Sequence, residues 1–454
     1  MNYLVISFCL LTCLISGAVE PLALSKNYWK DDAFLSSFNG SYRINARIEP
    51  SVTSGARSLL VAIQPLMAEG KREAALEMLK SNELAKSSAA IAFNIGNINF
   101  ELGELESAEQ FYLQALKKFP SFRRAHRNLG FVYVRQSDWE KALPALEESV
   151  RLGDHDGATF GQLAFGRMQL GQYASALQAF QMAQLTQPET IDWKAGTAQC
   201  LQQLKRSDEA LSLLDEVIEV RPTEPSYYLL QASVYIAMNR PDDAITNLEL
   251  VRRMDNLDAE NHLLLANLHL RAGSVELARP VMMTAMHMDQ KASYTGAVNL
   301  LEFVTSIRHW SLARDYTAVI KKAYSDSAAD TKLDQKIKYL TAYVDIESGD
   351  QMERGAKILE GVVKQAPLNA EALILLARYR AKKQRYQEAT MMLEQASRVE
   401  GHAYNAEIEL AKVCVATRRY AVALSHLDKA LKIRSSDELI RYREAISNLS
   451  KASE

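Results

Sequence analysis

The chain has 454 residues, of which 48% are hydrophobic and 24% charged. Its 53 lysines and arginines almost balance its 55 acidic residues, which leaves a formal net charge of −2. This composition is typical of a folded protein, and it provides no overall basic field for binding nucleic acid or anionic lipid. The length favours either about three domains or one elongated repeat array.

The N-terminal residues form an apolar run that ends near Val19, with no charged side chain before Glu20. Its length is that of a secretory h-region with its flanks, and Ser16-Gly17-Ala18 supplies the small residues that signal peptidase requires. We therefore predict a signal peptide over residues 1–18, cleavage after Ala18, and a periplasmic or secreted protein. Because no Lys or Arg precedes the run, an uncleaved membrane anchor is the alternative, and it is the only membrane association that we expect.

Small residues recur every 34 positions after a leader, residues 19–54, that shows no period. Glycine or alanine also recurs twelve residues before these alanines, as at Gly96 and Gly130. A fixed period of this size indicates a stacked array of one structural unit. The phased alanines are Ala74, Ala108, Ala142, Ala176, Ala210, Ala244 and Ala278.

Each unit is predicted to contain two helices, as residues 123–154 illustrate. Apolar residues repeat with helical spacing on both sides of a polar turn at Gln136-Ser137-Asp138, in which Ser137 and Asp138 are favourable helix caps. Two small residues per unit allow the two helix backbones to approach closely. Proline then ends the second helix, as at Pro120 and Pro188.

The pattern of Gly96, Ala108, Tyr112, Ala115 and Pro120 resembles the tetratricopeptide repeat (TPR), a helix-turn-helix unit of about 34 residues. This resemblance implies an all-α fold, a right-handed superhelical solenoid of helix-turn-helix TPR units. Seven in-phase units are expected over residues 55–292.

The phase drifts after residue 292. Residues 293–336 are interpreted as a degenerate repeat, shifted by one residue at Ala313, followed by a polar joint with the sequence SDSAADTKLDQK. Three further TPR-like units are predicted over residues 337–437, with Ala389 and Ala423 at the phased position. Residues 438–454 are predicted to form a capping helix and a tail.

The sequence contains no phosphate-binding glycine loop, no serine elbow and no HExxH. His262 and His269 share a helical face near His287, but they stand where a bulky side chain packs in such a repeat, so we expect no metal site. Cys200 and Cys414, more than 200 residues apart, are expected to be buried thiols. We therefore predict no enzyme activity and no cofactor; the alternative is an enzyme with its site in residues 293–336 or in the leader.

The resemblance also implies a binding surface. In similar proteins, the second, fifth, ninth, twelfth and thirteenth residues of each first helix line a concave groove that holds an extended peptide or a partner's helix. The alternative is that coiling of the array buries these side chains against neighbouring repeats. The residues at these positions are Phe93, Asn97, Phe100, Arg124, Arg127, Phe131, Val134, Arg135, Phe165, Met168, Leu229, Ile236, Leu263, Asn267, Leu270 and Arg271.

Family members that bind chaperones hold a C-terminal carboxylate in a clamp of lysine, arginine and asparagine. Asn97 and Asn128 occupy two of these places, whereas Phe93, Ala158 and Gln162 stand where basic residues are required. The sequence therefore does not predict carboxylate recognition by that clamp.

We therefore predict an exported scaffold whose partner is a protein or an extended peptide and not a nucleic acid. The export signal and the repeat array resemble those of bacterial envelope proteins that accompany multiprotein machines, including TonB/ExbB/ExbD-type transport systems. An assembly factor for an envelope or polysaccharide machine fits the same surface.

The N terminus of the mature protein is directly testable. We expect it to lie at or near Val19, because the apolar run ends there and small residues precede it. Intact-mass analysis of the exported protein would identify the first residue. Recovery of residues 1–18 on a membrane-bound product would contradict cleavage and support the anchor.

Overall fold

The computed structural model describes residue 29 and residues 47–288, 292–324 and 331–452, and in these ranges the chain forms α-helices and no β-strand. This confirms the all-α prediction. The chain divides into two compact units, with the boundary between Asn256 and Leu257, in the turn between two helix pairs. The signal peptide, most of the leader and residues 325–330 of the predicted joint lie outside the described residues.

The helices of the first unit follow one another in antiparallel pairs. They are α1 Ser54–Ala68, α2 Arg72–Lys80, α3 Leu84–Ser87, α4 Ala89–Leu102, α5 Leu105–Lys118, α6 Arg123–Arg135, α7 Trp139–Arg151, α8 Gly157–Gln169, α9 Tyr173–Thr186, α10 Ile191–Gln203, α11 Ser207–Val220, α12 Pro225–Ala237 and α13 Pro241–Arg253.

The second unit has the same helical organisation. Its helices are α14 Ala259–Arg271, α15 Val275–His287, α16 Tyr294–Ser306, α17 Trp310–Ala323, α18 Thr331–Glu347, α19 Met352–Gln365, α20 Ala370–Lys382, α21 Tyr386–Ser397, α22 Ala403–Ala416, α23 Tyr420–Ile433 and α24 Asp437–Ala452. Residues 331–336, predicted to belong to a joint, are the first turns of α18. Among all described helices, none has the length and apolar character needed to cross a bilayer.

The turn inside each pair depends on one residue with left-handed backbone geometry. In the turn between α6 and α7 this residue is Ser137, with φ of 58°, and Asp138 then caps α7 by accepting a hydrogen bond from the Lys141 N–H at 3.2 Å. Left-handed residues recur at the same 34-residue period as the alanines. They are Gly103, Ser137, Gly171, Lys205, Asn239 and Gly273.

Small residues let the paired helices touch. A β-carbon added to Gly96 would lie 2.6 Å from the Tyr112 ring, and one added to Gly130 would lie 2.6 Å from the Leu146 side chain. Both distances are shorter than ordinary contacts of a β-carbon, so a side chain at either position would force its neighbour to move. Fully buried alanines follow on the second helices: Ala108, Ala142, Ala176, Ala210, Ala244, Ala278, Ala389 and Ala423.

The predicted period is wrong by one residue at the start of the array. Ala74 is exposed and its neighbour Ala75 is fully buried, because α2 turns Ala75 toward Ala56 and Ile63 in the first hydrophobic cluster. After residue 292 the array is again displaced by one residue toward the C terminus, as predicted, since Arg308 takes the left-handed position and Ala313 is buried.

Overpacking of a phased alanine should destabilise the array locally. Ala142→Leu adds three carbons to a fully buried site, a change that typically costs about 1–3 kcal/mol. Because a repeat couples mainly to its neighbours, we expect hydrogen-exchange protection to fall first in α6–α9 and to persist in α22–α24.

Ala174→Leu is the matched control, because Ala174 lies at the start of α9 and is exposed. We expect it to leave the exchange pattern unchanged. A uniform loss of protection along the whole chain in Ala142→Leu would contradict a one-dimensional array.

Candidate functional site

The predicted groove residues of the first unit lie on the first helices α4, α6, α8 and α12, and most are buried. Only Arg135 and Leu229 are half-buried. Leu263, Asn267, Leu270 and Arg271 lie in the second unit. The buried set in the first unit is Phe93, Asn97, Phe100, Arg124, Arg127, Phe131, Val134, Phe165, Met168 and Ile236.

Ring contacts account for part of this burial. The Phe93 ring centroid lies 4.7 Å from that of Phe122 and 5.7 Å from that of Tyr112. Trp139 packs edge-on against Phe165, with centroids 5.5 Å apart. The aromatic side chains therefore form the floor of the surface, where they pack against the second helices.

Arginines of α6 lie over aromatic rings. The Arg135 guanidinium is 4.8 Å from the Phe100 ring centroid, and that of Arg127 is 6.0 Å from the Phe131 centroid. Arg135 Nη1 also donates a hydrogen bond to the Phe100 carbonyl at 3.1 Å. Cation–π contacts of this kind hold the guanidinium groups against apolar surface, so the site combines aromatic faces with positive charge.

A buried polar network connects the repeats beneath these rings. The Asn97 Oδ1 atom accepts hydrogen bonds from the Tyr112 hydroxyl at 2.8 Å and from Asn128 Nδ2 at 3.0 Å. Arg127 Nε donates to Asn128 Oδ1 at 3.2 Å, and Arg127 Nη1 lies 3.5 Å from Asp156 Oδ2. Burial raises the pKa of Tyr112 well above its ordinary value, so its hydroxyl remains a donor at neutral pH.

The two asparagines that match the carboxylate clamp belong to this network. Asn97 and Asn128 are bonded to each other across two repeats, so their amides are already engaged. Gln162, at a place where the clamp needs arginine, is fully buried, and its amide has no hydrogen-bond partner among the described residues.

Two leader residues complete the surface, and both were missed in the sequence. Trp29 packs edge-on against Phe100 and Phe131, with ring centroids 6.1 and 6.3 Å away. Glu49, 5% exposed, accepts hydrogen bonds from Arg124 Nε at 3.1 and 3.2 Å and from Arg124 Nη2 at 3.1 Å. In the sequence they are a tryptophan and a glutamate in a segment without a helical period, which does not indicate contact with the repeats.

The remaining candidate groups, two histidines and two cysteines, are buried. His262 and His269 are buried, and His262 Nδ1 lies 2.8 Å from the Asp258 carbonyl oxygen. No group of three His, Cys, Asp or Glu side chains is arranged to hold a metal in the parts of the chain that the structure covers. Cys200 and Cys414 are free and buried, and burial raises the pKa of Cys200 to about 12.

Family models described as tetratricopeptide repeat match more than half of the chain. One matches residues 64–121, 112–157, 229–285 and 339–390, and another matches residues 167–234. These matches fall in both units and coincide with the helix pairs.

Individual proteins are similar over shorter stretches. The chain is 27% identical over 174 residues to the TPR repeat-containing protein YpiA of Bacillus subtilis, covering 38% of this chain and 40% of that one. It is 26% identical over 218 residues to Superkiller protein 3 of Schizosaccharomyces pombe, covering 47% and 15% respectively. The similarity thus spans well under two thirds of either relative.

A similar solved structure is the crystal structure of YrrB, described as a TPR protein with an unusual peptide-binding site. It is 25% identical, with a TM-score of 0.38, and the match covers 40% of this chain and 94% of YrrB.

The Tyr112–Asn97–Asn128 network should be energetically coupled. Tyr112→Phe removes one donor and should cost about 0.5–1.5 kcal/mol, whereas Asn97→Ala leaves two buried donors unsatisfied and should cost more, about 1–3 kcal/mol. In the double variant the two costs should not add, because both remove the same hydrogen bond. Denaturant unfolding monitored by circular dichroism measures all three.

Tyr228→Phe is the control, because the Tyr228 hydroxyl bonds the Pro222 carbonyl on an exposed surface. It should change the unfolding free energy by less than about 0.5 kcal/mol. Additive costs for Tyr112→Phe and Asn97→Ala would show that the hydrogen bond contributes nothing to stability.

Proposed function

The chain belongs to the tetratricopeptide repeat family, and from this premise we propose that it is a non-catalytic scaffold that binds an extended peptide or partner protein along α4, α6 and α8. Repeats of this family generally serve as protein-interaction modules. The observation that carries the proposal is the stacking of arginines on aromatic rings along α4 and α6, at Phe100, Arg127, Phe131 and Arg135.

This composition suits a binding surface. Interface hot spots are enriched in aromatic residues and arginine, and they cluster in well-packed, desolvated places. Because the side chains are held by packing and by the polar network, little ordering is lost on the receptor side when a ligand binds. An extended peptide would gain contacts from several repeats at once.

The location of the protein is a further part of the proposal. The apolar N-terminal run supports export with cleavage after Ala18. An exported scaffold of this kind would serve a bacterial envelope complex, either a TonB/ExbB/ExbD-type transport system or a machine that assembles envelope components or polysaccharide.

A charge reversal at the rim of the surface tests the binding site. We expect Arg135→Glu to weaken binding of peptides selected by the full chain from a phage-displayed library by at least about tenfold, since loss of a hot-spot side chain costs more than about 1 kcal/mol. Fluorescence anisotropy of the labelled peptides gives the affinities. Arg135 is chosen because it is half-buried, so its replacement disturbs the core less than truncation of Phe131 or Phe165.

Lys117→Glu is the matched control, because it makes the same change of charge at an exposed position on a second helix, α5. It should leave the affinities unchanged, and both variants should keep the helical circular dichroism. Equal binding by Arg135→Glu and the wild type would show that this surface is not the site.

A further inference from the structure

Residues of the chain's own leader occupy this surface, and their contacts indicate which chemical groups a ligand would need. Phe100 and Phe131 occupy the twelfth and ninth places of successive first helices, two of the places that line the groove in similar proteins. The Trp29 ring lies against both, edge-on, and is half-buried there. An indole fits this slot because edge-to-face contacts with two rings add to the apolar area that it buries.

The second contact is ionic. Arg124 lies at the second place of α6, is 6% exposed, and stacks over the Phe93 ring at 5.2 Å from its centroid. A guanidinium buried among aromatic rings is costly unless a carboxylate pairs with it. Glu49 supplies that carboxylate through the bonds to Arg124 Nε and Nη2, and Arg123 Nη2 lies 3.8 Å from Glu49 Oε1.

Backbone contacts hold the glutamate segment along the start of α6. The Arg123 N–H donates to the Ile48 carbonyl at 3.1 Å, and Ser121 Oγ donates to the Arg47 carbonyl at 2.8 Å. Main-chain hydrogen bonds of this kind are independent of side-chain identity, whereas Glu49 and Trp29 provide specific contacts. Proteins recognise extended peptides in the same way, with main-chain hydrogen bonds for affinity and side-chain contacts for specificity.

We propose that Trp29 and residues 47–49 are an internal ligand of this groove, and that the partner is an extended segment that carries a tryptophan and a carboxylate side chain and binds by displacing them. This inference rests on the proposed function and names its ligand class. A tethered ligand competes at a high effective concentration, so the wild-type groove is available to an external segment for only a small fraction of the time. The apparent affinity falls by that fraction.

The test uses the full chain and a fluorescein-labelled synthetic peptide with the sequence of residues 26–50, which contains both anchors. The double variant Trp29→Ala/Glu49→Gln should bind this peptide at least about tenfold more tightly than the wild type, because its own anchors no longer occupy the groove. A peptide in which the same two residues are replaced should bind the double variant at least about tenfold more weakly.

Glu147→Gln is the matched control, because it neutralises an exposed carboxylate that pairs with Arg167 in the same unit. It should behave as the wild type. Equal binding of the labelled peptide by the wild type and the folded double variant, or equal binding of the two peptides, would overturn the proposal.

A measurement on the wild type covers the case in which the double variant does not fold. With 5-fluorotryptophan incorporated, and the Trp29 resonance assigned from its loss in Trp29→Phe, an excess of the unlabelled peptide should shift that resonance toward the solvent-exposed value. If the resonance does not move at saturating peptide, Trp29 is a permanent part of the fold and the proposal is overturned.

These outcomes are separable from failure of the proposed function. If library-selected peptides bind and lose affinity in Arg135→Glu, while the peptide of residues 26–50 does not bind the double variant, the scaffold function stands and only the internal ligand is wrong. If no peptide of either kind binds, both proposals fail.

Discussion

The close approach of the two helices in each repeat is the constraint on which the rest of the structure depends. At Gly96 even a methyl group would lie 2.6 Å from the Tyr112 ring, so a side chain at this position would force the ring to move. Because the Tyr112 ring packs against Gly96, its hydroxyl reaches the side chain of Asn97, the next residue of the same helix. The residue that permits the packing thus also sets the position of a groove residue.

The same packing determines how deeply the side chains at the groove positions are buried. Each first helix is covered by its own second helix and by the next repeat, so side chains at the groove positions form a floor and do not project. A guanidinium in such a floor needs a carboxylate close by. For Arg127 that carboxylate is Asp156, which also caps α8 through the Ala158 N–H. For Arg124 it is Glu49, which comes from outside the repeats.

Local constraints made the repeats predictable from the sequence, and long-range ones did not. Small residues at fixed spacing and a left-handed residue in each turn are local, so the helix pairs followed from the period. The one-residue slip that buries Ala75 in place of Ala74, and the short helix α3, depend on packing at the array's start. Burial of Arg124 could not be predicted, because its acceptor lies 75 residues away in a segment without a pattern.

In the binding mode proposed above, the two anchors of the groove contribute to recognition in different ways. Phe100 and Phe131 contribute apolar area and ring faces, against which the Trp29 indole lies edge-on. Arg124 contributes charge: its buried guanidinium pairs with the Glu49 carboxylate, and a ligand that supplies another carboxylate at this place keeps an acidic group beside the buried charge. A segment with a carboxylate at this position would therefore be preferred to one without it, because the carboxylate takes over the pairing that Glu49 makes with Arg124.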